Sequence, residues 1–177
     1  TLLPFVDRGG FFAKSRPVRA YGIAARLQDT APAGMYLSLD APTRSLRPWG
    51  DRGVIVVGES HETGSADATP SRWGDLEAWA REHWDIARFE YRWSAQDYTP
   101  IDGLPYVGRS PRARQVHVAT GFDKWGLTNG TAAGRMLADS LTGEPNPWLS
   151  TFGADRLPDR RGIAKAAIDN AKVGLEF

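Results

Sequence analysis

An α+β fold is predicted: an antiparallel sheet covered by one helix, followed by a strand, a glycine-rich turn and a second helix. Three observations predict it. Several runs alternate apolar and polar residues with the period of a strand. One segment, Ser71 to Trp84, repeats instead at helical spacing. Near the end, four glycines (Gly121, Gly126, Gly130, Gly134) crowd the junction between an apolar run and a helical pattern.

The first strand ends the stretch FFAKSRPVRAYGIAARL, where Arg19, Tyr21, Ile23, Ala25 and Leu27 share a face. After a Pro/Gly break at 31–34, MYLSLD and RSLRPW alternate again, GDRG supplies a turn, and VIVVGE is a β-branched run suited to an interior strand. SRWGDLEAWAREHW then places Leu76, Trp79, Ala80 and His83 on one side of a helix, with acidic residues near its start. RFEYRWSAQDY returns to alternation and gives way to TPIDGLPYVG, a proline- and glycine-rich turn in which Asp102 is suited to bonding its own backbone. QVHV, at 115–118, is expected as a buried strand, and Ala132 to Leu141 as a helix closed by Gly143 and the prolines that follow. The alanine- and lysine-rich stretch from Arg160 to Val173 is a weaker helical pattern. The strand–turn–helix unit finds no parallel partner strands in the sequence, which leaves it an orphan.

Charge is balanced: 22 basic against 21 acidic residues give a net +1, so no electrostatic footprint for nucleic acid or an anionic membrane stands out. Cysteine is absent and the three histidines stand apart, which removes disulfides and thiolate-bound metal centres from this chain and predicts no metal site. No apolar run approaches the roughly 20 residues of a membrane helix. A cytoplasmic protein is the expectation.

TGFDKWGLTNGTAAG, preceded by TPIDGLPYVG, resembles the C-terminal part of the D-amino-acid-oxidase type of FAD-dependent oxidoreductases. The form KWGLTNG, the segment TRSLRP and the long tail after PNPW narrow the resemblance to the branch that carries a C-terminal Rieske iron–sulfur domain. It covers nearly the whole chain from LPFVDRGGFF onward. It implies an antiparallel-sheet substrate domain over 1–108, a returning segment of a Rossmann-type FAD domain over 109–150, and a linker helix over 151–177 leading to a further domain. Neither a GxGxxG fingerprint nor the Cys/His pairs of a Rieske centre occur in this sequence. The chain therefore reads as an internal piece of a longer enzyme, with FAD held by that longer protein and a [2Fe-2S] cluster on its C-terminal domain. The implied partners are a small amine or amino-acid substrate and the FAD and Rieske domains of the same protein.

The same resemblance lays Gly121, Gly126, Leu127, Thr128, Asn129 and Gly130 along the flavin, and brings Lys124 and Trp125 to flavin and substrate. Backbone N–H groups at a helix start stabilise an anionic edge. The glycines equally suit a tight turn that only permits close packing, and Lys124 a solvated position. Arg44 and Arg47 in TRSLRP fall on opposite faces of a regular strand. Arg47 is the choice for a substrate carboxylate, since a guanidinium fork binds one bidentately, with a plain surface arginine as the alternative. The competing reading from another class is a non-catalytic α+β module that binds a ligand or protein through its sheet and aromatic residues.

Overall fold

The computed structural model of the chain describes residues 2–64, 71–157, 164, 168, 170 and 171. It divides into two compact units, Val18–Gln96 and the pair of stretches Thr1–Pro17 and Asp97–Phe177. Two long strands, β1 (Ser15–Leu27) and β5 (Ile86–Pro100), run through the unit boundaries.

The sheet of the first unit has the order β2-β3-β4-β1-β5, where β2 is Tyr36–Leu37, β3 Ser45–Pro48 and β4 Gly53–Glu62. β1 and β4 pair antiparallel from Arg26↔Gly53 to Val18↔Glu62, and β4 pairs antiparallel with β3. Of the face expected for β1, Tyr21, Ile23, Ala25 and Leu27 join Leu46, Val54 and Val56 in one buried cluster, while Arg19 stays outside it and Ala20, Gly22 and Ala24 on the opposite face are buried as well. Helix α1 (Arg72–His83) closes that cluster with Leu76 and Ala80, both fully buried. Burying each large aliphatic side chain is worth about 1.5–3 kcal/mol, whereas the ion pair Arg92–Glu77 has its arginine more than half exposed to water, which screens it. Apolar contact, not charge, seats α1 on the sheet.

The β1–β4 register shifts between Arg19 and Tyr21. Glu59, opposite this irregularity, takes φ 51° and is buried. Its carboxylate accepts from Nε of Arg44 at 3.0 Å, and the Arg44 guanidinium lies 5.0 Å from the centroid of the Trp79 ring. His61 lies within β4 and stacks on Tyr21 with ring centroids 5.6 Å apart.

In the second unit, β6 (Tyr106–Arg109) and β7 (His117–Thr120) form an antiparallel pair. The orphan strand thus has a partner, and it is antiparallel. Sequence reasoning overlooked β6 because its four residues include Gly108, at φ 119°, inside a segment that reads as a turn. β7 also begins two residues later than the expected QVHV run. Phe11, Tyr106, Val118 and Ala154 form a buried cluster that gathers residues from both ends of the chain. Residues 2–17 and 97–108, expected with the sheet domain, therefore share a unit with β7 and the helix after it. The short helix α3 (Leu149–Phe152) and Ala154 pack there too, so the stretch expected as a linker starts inside the folded unit. Most of Arg160 to Val173 lies outside the described residues.

Candidate functional site

The glycine-rich connection is built on the β6–β7 pair. Beyond Thr120 the chain turns at Gly121, whose φ is 75° and whose missing Cβ would stand 2.5 Å from Cγ of Pro100. Only glycine meets both conditions. Phe122 then enters the cluster of Val107, Ala133 and Met136. Asp123 and Lys124 follow at φ 43° and 67°, two consecutive left-handed residues that are not glycine. Such backbone persists where neighbours hold it, and here β5 does so. Thr99 Oγ1 donates to Asp123 Oδ1 at 2.6 Å, and Lys124 Nζ lies 3.3 Å from Asp97 Oδ2. Phe122 O accepts from the N–H of Trp125 at 2.8 Å and from Nδ2 of Asn129 at 3.2 Å.

Helix α2 begins at once, running Gly126–Thr142. This corrects the expected start at Ala132: the residues assigned to a cofactor-facing loop, Gly126, Leu127, Thr128, Asn129 and Gly130, form the first turn and a half of the helix. The glycines and Thr128 lower helix propensity and hid it, but Asn129 N–H already donates to the Trp125 carbonyl at 2.9 Å. The N-cap residue Trp125 makes no side-chain cap bond, so the first amides of a 17-residue helix are left without a capping side chain. Around them Trp125 is 60% and Leu127 91% exposed.

The four glycines separate. A Cβ on Gly126 or Gly134 would meet nothing within 4 Å, and one on Gly130 would make an ordinary 3.7 Å contact with Phe122. Close packing therefore explains Gly121 and does not require glycine at the three helical positions; Gly126 is exposed at the uncapped helix start, Gly130 turns toward Phe122, and Gly134 is exposed two turns further on. That arrangement fits one edge of a flat anionic group such as a flavin. The ammonium of Lys124 is shared with Asp97, so it is not a bare cation.

Arg47 belongs to the other unit. It lies on β3 opposite Ile55, exposed, and on the strand side away from Leu46 and the α1 cluster, while Arg44 is engaged with Glu59. Asp97, Thr99 and Asp123, which hold the turn, were missed. A signal existed in QDYTP, whose strand alternation puts Asp97 and Thr99 on one face. Among the described residues no group of three or more His, Cys, Asp or Glu could hold a metal ion, and no helix is long and apolar enough to cross a membrane.

Residues 5–140 match the family described as FAD dependent oxidoreductase. The chain is 35% identical over 175 residues to the putative Rieske 2Fe-2S iron-sulfur protein YhfW of Bacillus subtilis, covering 96% of this chain and 34% of that protein. It is 28% identical over 112 residues to glycine oxidase of Bacillus licheniformis, covering 59% of this chain and 30% of that one. Its fold resembles the crystal structure of glycine oxidase from Geobacillus kaustophilus with a TM-score of 0.68 at 20% identity, covering 82% of this chain and 40% of that one. The chain thus spans about a third of the length of the curated relatives it matches. By the family match over most of its length, the chain belongs to the FAD dependent oxidoreductases.

Proposed function

We propose that the full-length protein oxidises the carbon–nitrogen bond of an amine or amino-acid-like substrate with FAD, and that the electrons pass to a Rieske [2Fe-2S] centre elsewhere in the same protein. The observation that carries this reading is the uncapped start of α2, with Trp125 and Leu127 exposed beside Gly126, whose Cβ position meets none of the described residues within 4 Å. The relative named for a Rieske protein and the glycine oxidases support it.

FAD, when bound, accepts the hydride leaving the carbon next to the substrate nitrogen. The residues of this chain serve that step by position and field. The amides of Gly126, Leu127 and Thr128 are the groups that would hold an edge of the flavin and would stabilise negative charge arising on it. Gly126 keeps the helix start free of a side chain, so the ring can approach. The strap of Thr99, Asp123, Asp97 and Lys124 fixes the turn, and Trp125 walls the substrate side. On the sheet unit taken by itself, Arg47 stands exposed on β3 as the candidate for a carboxylate. The imine so formed adds water across its C=N bond and releases ammonia or an amine, leaving a carbonyl compound.

The test is Gly126→Val in the full-length protein, with flavin reduction followed anaerobically by stopped flow. Because none of the described residues across from the helix stands within 4 Å of the Gly126 Cβ position, the fold tolerates valine, while reduction slows on the order of 10²-fold as the donors are pushed off the ring. Reduction near the wild-type rate, with flavin bound, overturns the placement of α2 at the flavin.

A further inference from the structure

We propose a second anion site, for a phosphate-bearing small molecule of nucleotide size, at the end of the β6–β7 pair remote from the glycine turn. A cavity of about 1060 Å³ opens there, bordered by the β6–β7 loop, Ser140 of α2 and Asp155. Ligand pockets commonly hold about 300–1,000 Å³, so the space suits a nucleotide better than a lone ion.

The loop RSPRAR brings Arg109, Arg112 and Arg114 to this cavity. Elsewhere Arg19, Arg26, Arg44, Arg88, Arg92 and Arg156 bond to oxygens, while Arg8, Arg47, Arg52 and Arg135 stand singly without such a bond among the described residues; the loop differs in gathering three at one cavity. The three loop arginines have no hydrogen-bond or acidic partner among the described residues, and all three are exposed. Three guanidinium groups stand against the one carboxylate of Asp155, so the described rim is positively charged. Like charges gathered on six residues create a local positive potential that attracts an anion, and guanidinium forks match phosphate oxygens bidentately.

The loop is also held in shape. Ser110 N–H donates to Val116 O at 2.8 Å, Ala113 N–H to Ser110 O at 3.3 Å and Val116 N–H to Ala113 O at 3.4 Å. Arg112 sits at φ 59°, a left-handed position for a residue with a long side chain. A loop fixed in this way presents its arginines with little ordering left to do on binding.

This site is not the flavin's. α2 starts at the glycine turn with Gly126 and reaches the cavity at Ser140, fourteen residues later, which is roughly 20 Å along a helix. The proposal therefore stands apart from the assignment of α2 to FAD.

The experiment is isothermal titration calorimetry on the full-length protein saturated with FAD, using ATP, inorganic pyrophosphate and adenosine as probes. Saturable binding of ATP and pyrophosphate is expected, and none of adenosine. The double variant Arg112→Asn/Arg114→Ala is expected to weaken both by about tenfold or more, with flavin absorbance and thermal unfolding unchanged. Asparagine is chosen at 112 because it tolerates left-handed backbone, and Arg114→Ala alone serves as the second variant. No saturable binding of either phosphate probe overturns the site, as does binding left intact in both variants or adenosine binding as tightly as ATP.

Discussion

Arg156 lies over the ring of Tyr106, its Cζ 3.8 Å from the centroid, and the same guanidinium holds both carboxylate oxygens of Asp102 at 2.9 Å. It also donates to the carbonyls of Pro105 and Phe152 at 2.9 and 3.2 Å. One side chain thus fastens the DGLP turn to the segment after α3. A fork of five donors makes this pattern, and an ammonium cannot. Arg156→Lys should cost on the order of 3 kcal/mol, since it leaves a largely buried carboxylate poorly paired. Urea unfolding of Arg156→Lys, Asp102→Asn and the double variant checks this: the two single costs should exceed the double cost when added, and strict additivity would mean the pair is not coupled.

Beneath that guanidinium, Tyr106 is fully buried and its hydroxyl has no hydrogen-bond partner among the described residues. Burial first, then the nearby Asp102 carboxylate, pushes its pKa up from 10.0 to about 12. A raised pKa means that the fold favours the neutral phenol. The stabilisation is fully present below about pH 10 and is lost as pH rises toward about 12. Tyr106→Phe should remove that alkaline loss. At neutral pH it should change stability by less than about 1 kcal/mol, because no hydrogen bond is given up. Denaturant midpoints on either side of the window, for both proteins, decide the matter.

How much of this was legible follows from the range of each interaction. VIVVGE and SRWGDLEAWAREHW were readable because burial imposes a local period, and they became β4 and α1. Asp102 was readable as a turn former, and it accepts from the N–H of Leu104 at 3.2 Å. Its partner Arg156, 54 residues away, carries no periodic trace. The start of α2 was misread for a different reason. Helix propensity penalises glycine wherever it stands, while the structure begins the helix on Gly126 because Phe122, Trp125 and Asn129 bond across its first turn. The clustering of Asp97 and Thr99 with Asp123 and Lys124 needed the pairing of β5 and the turn, which only the fold supplies.

Two glycines of the turn and helix should respond in opposite directions to alanine. At Gly121 the new methyl meets Pro100 on a backbone of φ 75°, so Gly121→Ala should destabilise by on the order of 2–3 kcal/mol. At Gly134, exposed inside α2 with no neighbour within 4 Å, alanine should stabilise the chain by about 1 kcal/mol. Thermal unfolding of the two variants side by side tests both claims. A stabilised Gly121→Ala would mean that the turn is not held against Pro100.

The 177-residue chain by itself should not retain FAD, although it carries the helix start assigned to the flavin. Favourable terms available here are small: a helix terminus acting on a charged edge is worth about 0.3–1 kcal/mol, and up to about 2 in a partly buried setting. Contact with exposed Trp125 and Leu127 covers only one edge of the ring. Against this stands the loss of translational and rotational freedom, an estimated 4–15 kcal/mol for association. The sequence offers no GxGxxG turn to receive the pyrophosphate, which is where dinucleotide sites of this type gain much of their hold. Purified chain mixed with FAD should therefore elute colourless from gel filtration, while the full-length protein should elute yellow. Flavin absorbance that travels with the 177-residue chain would show that the residues around α2 bind the cofactor far more strongly than one edge of contact allows.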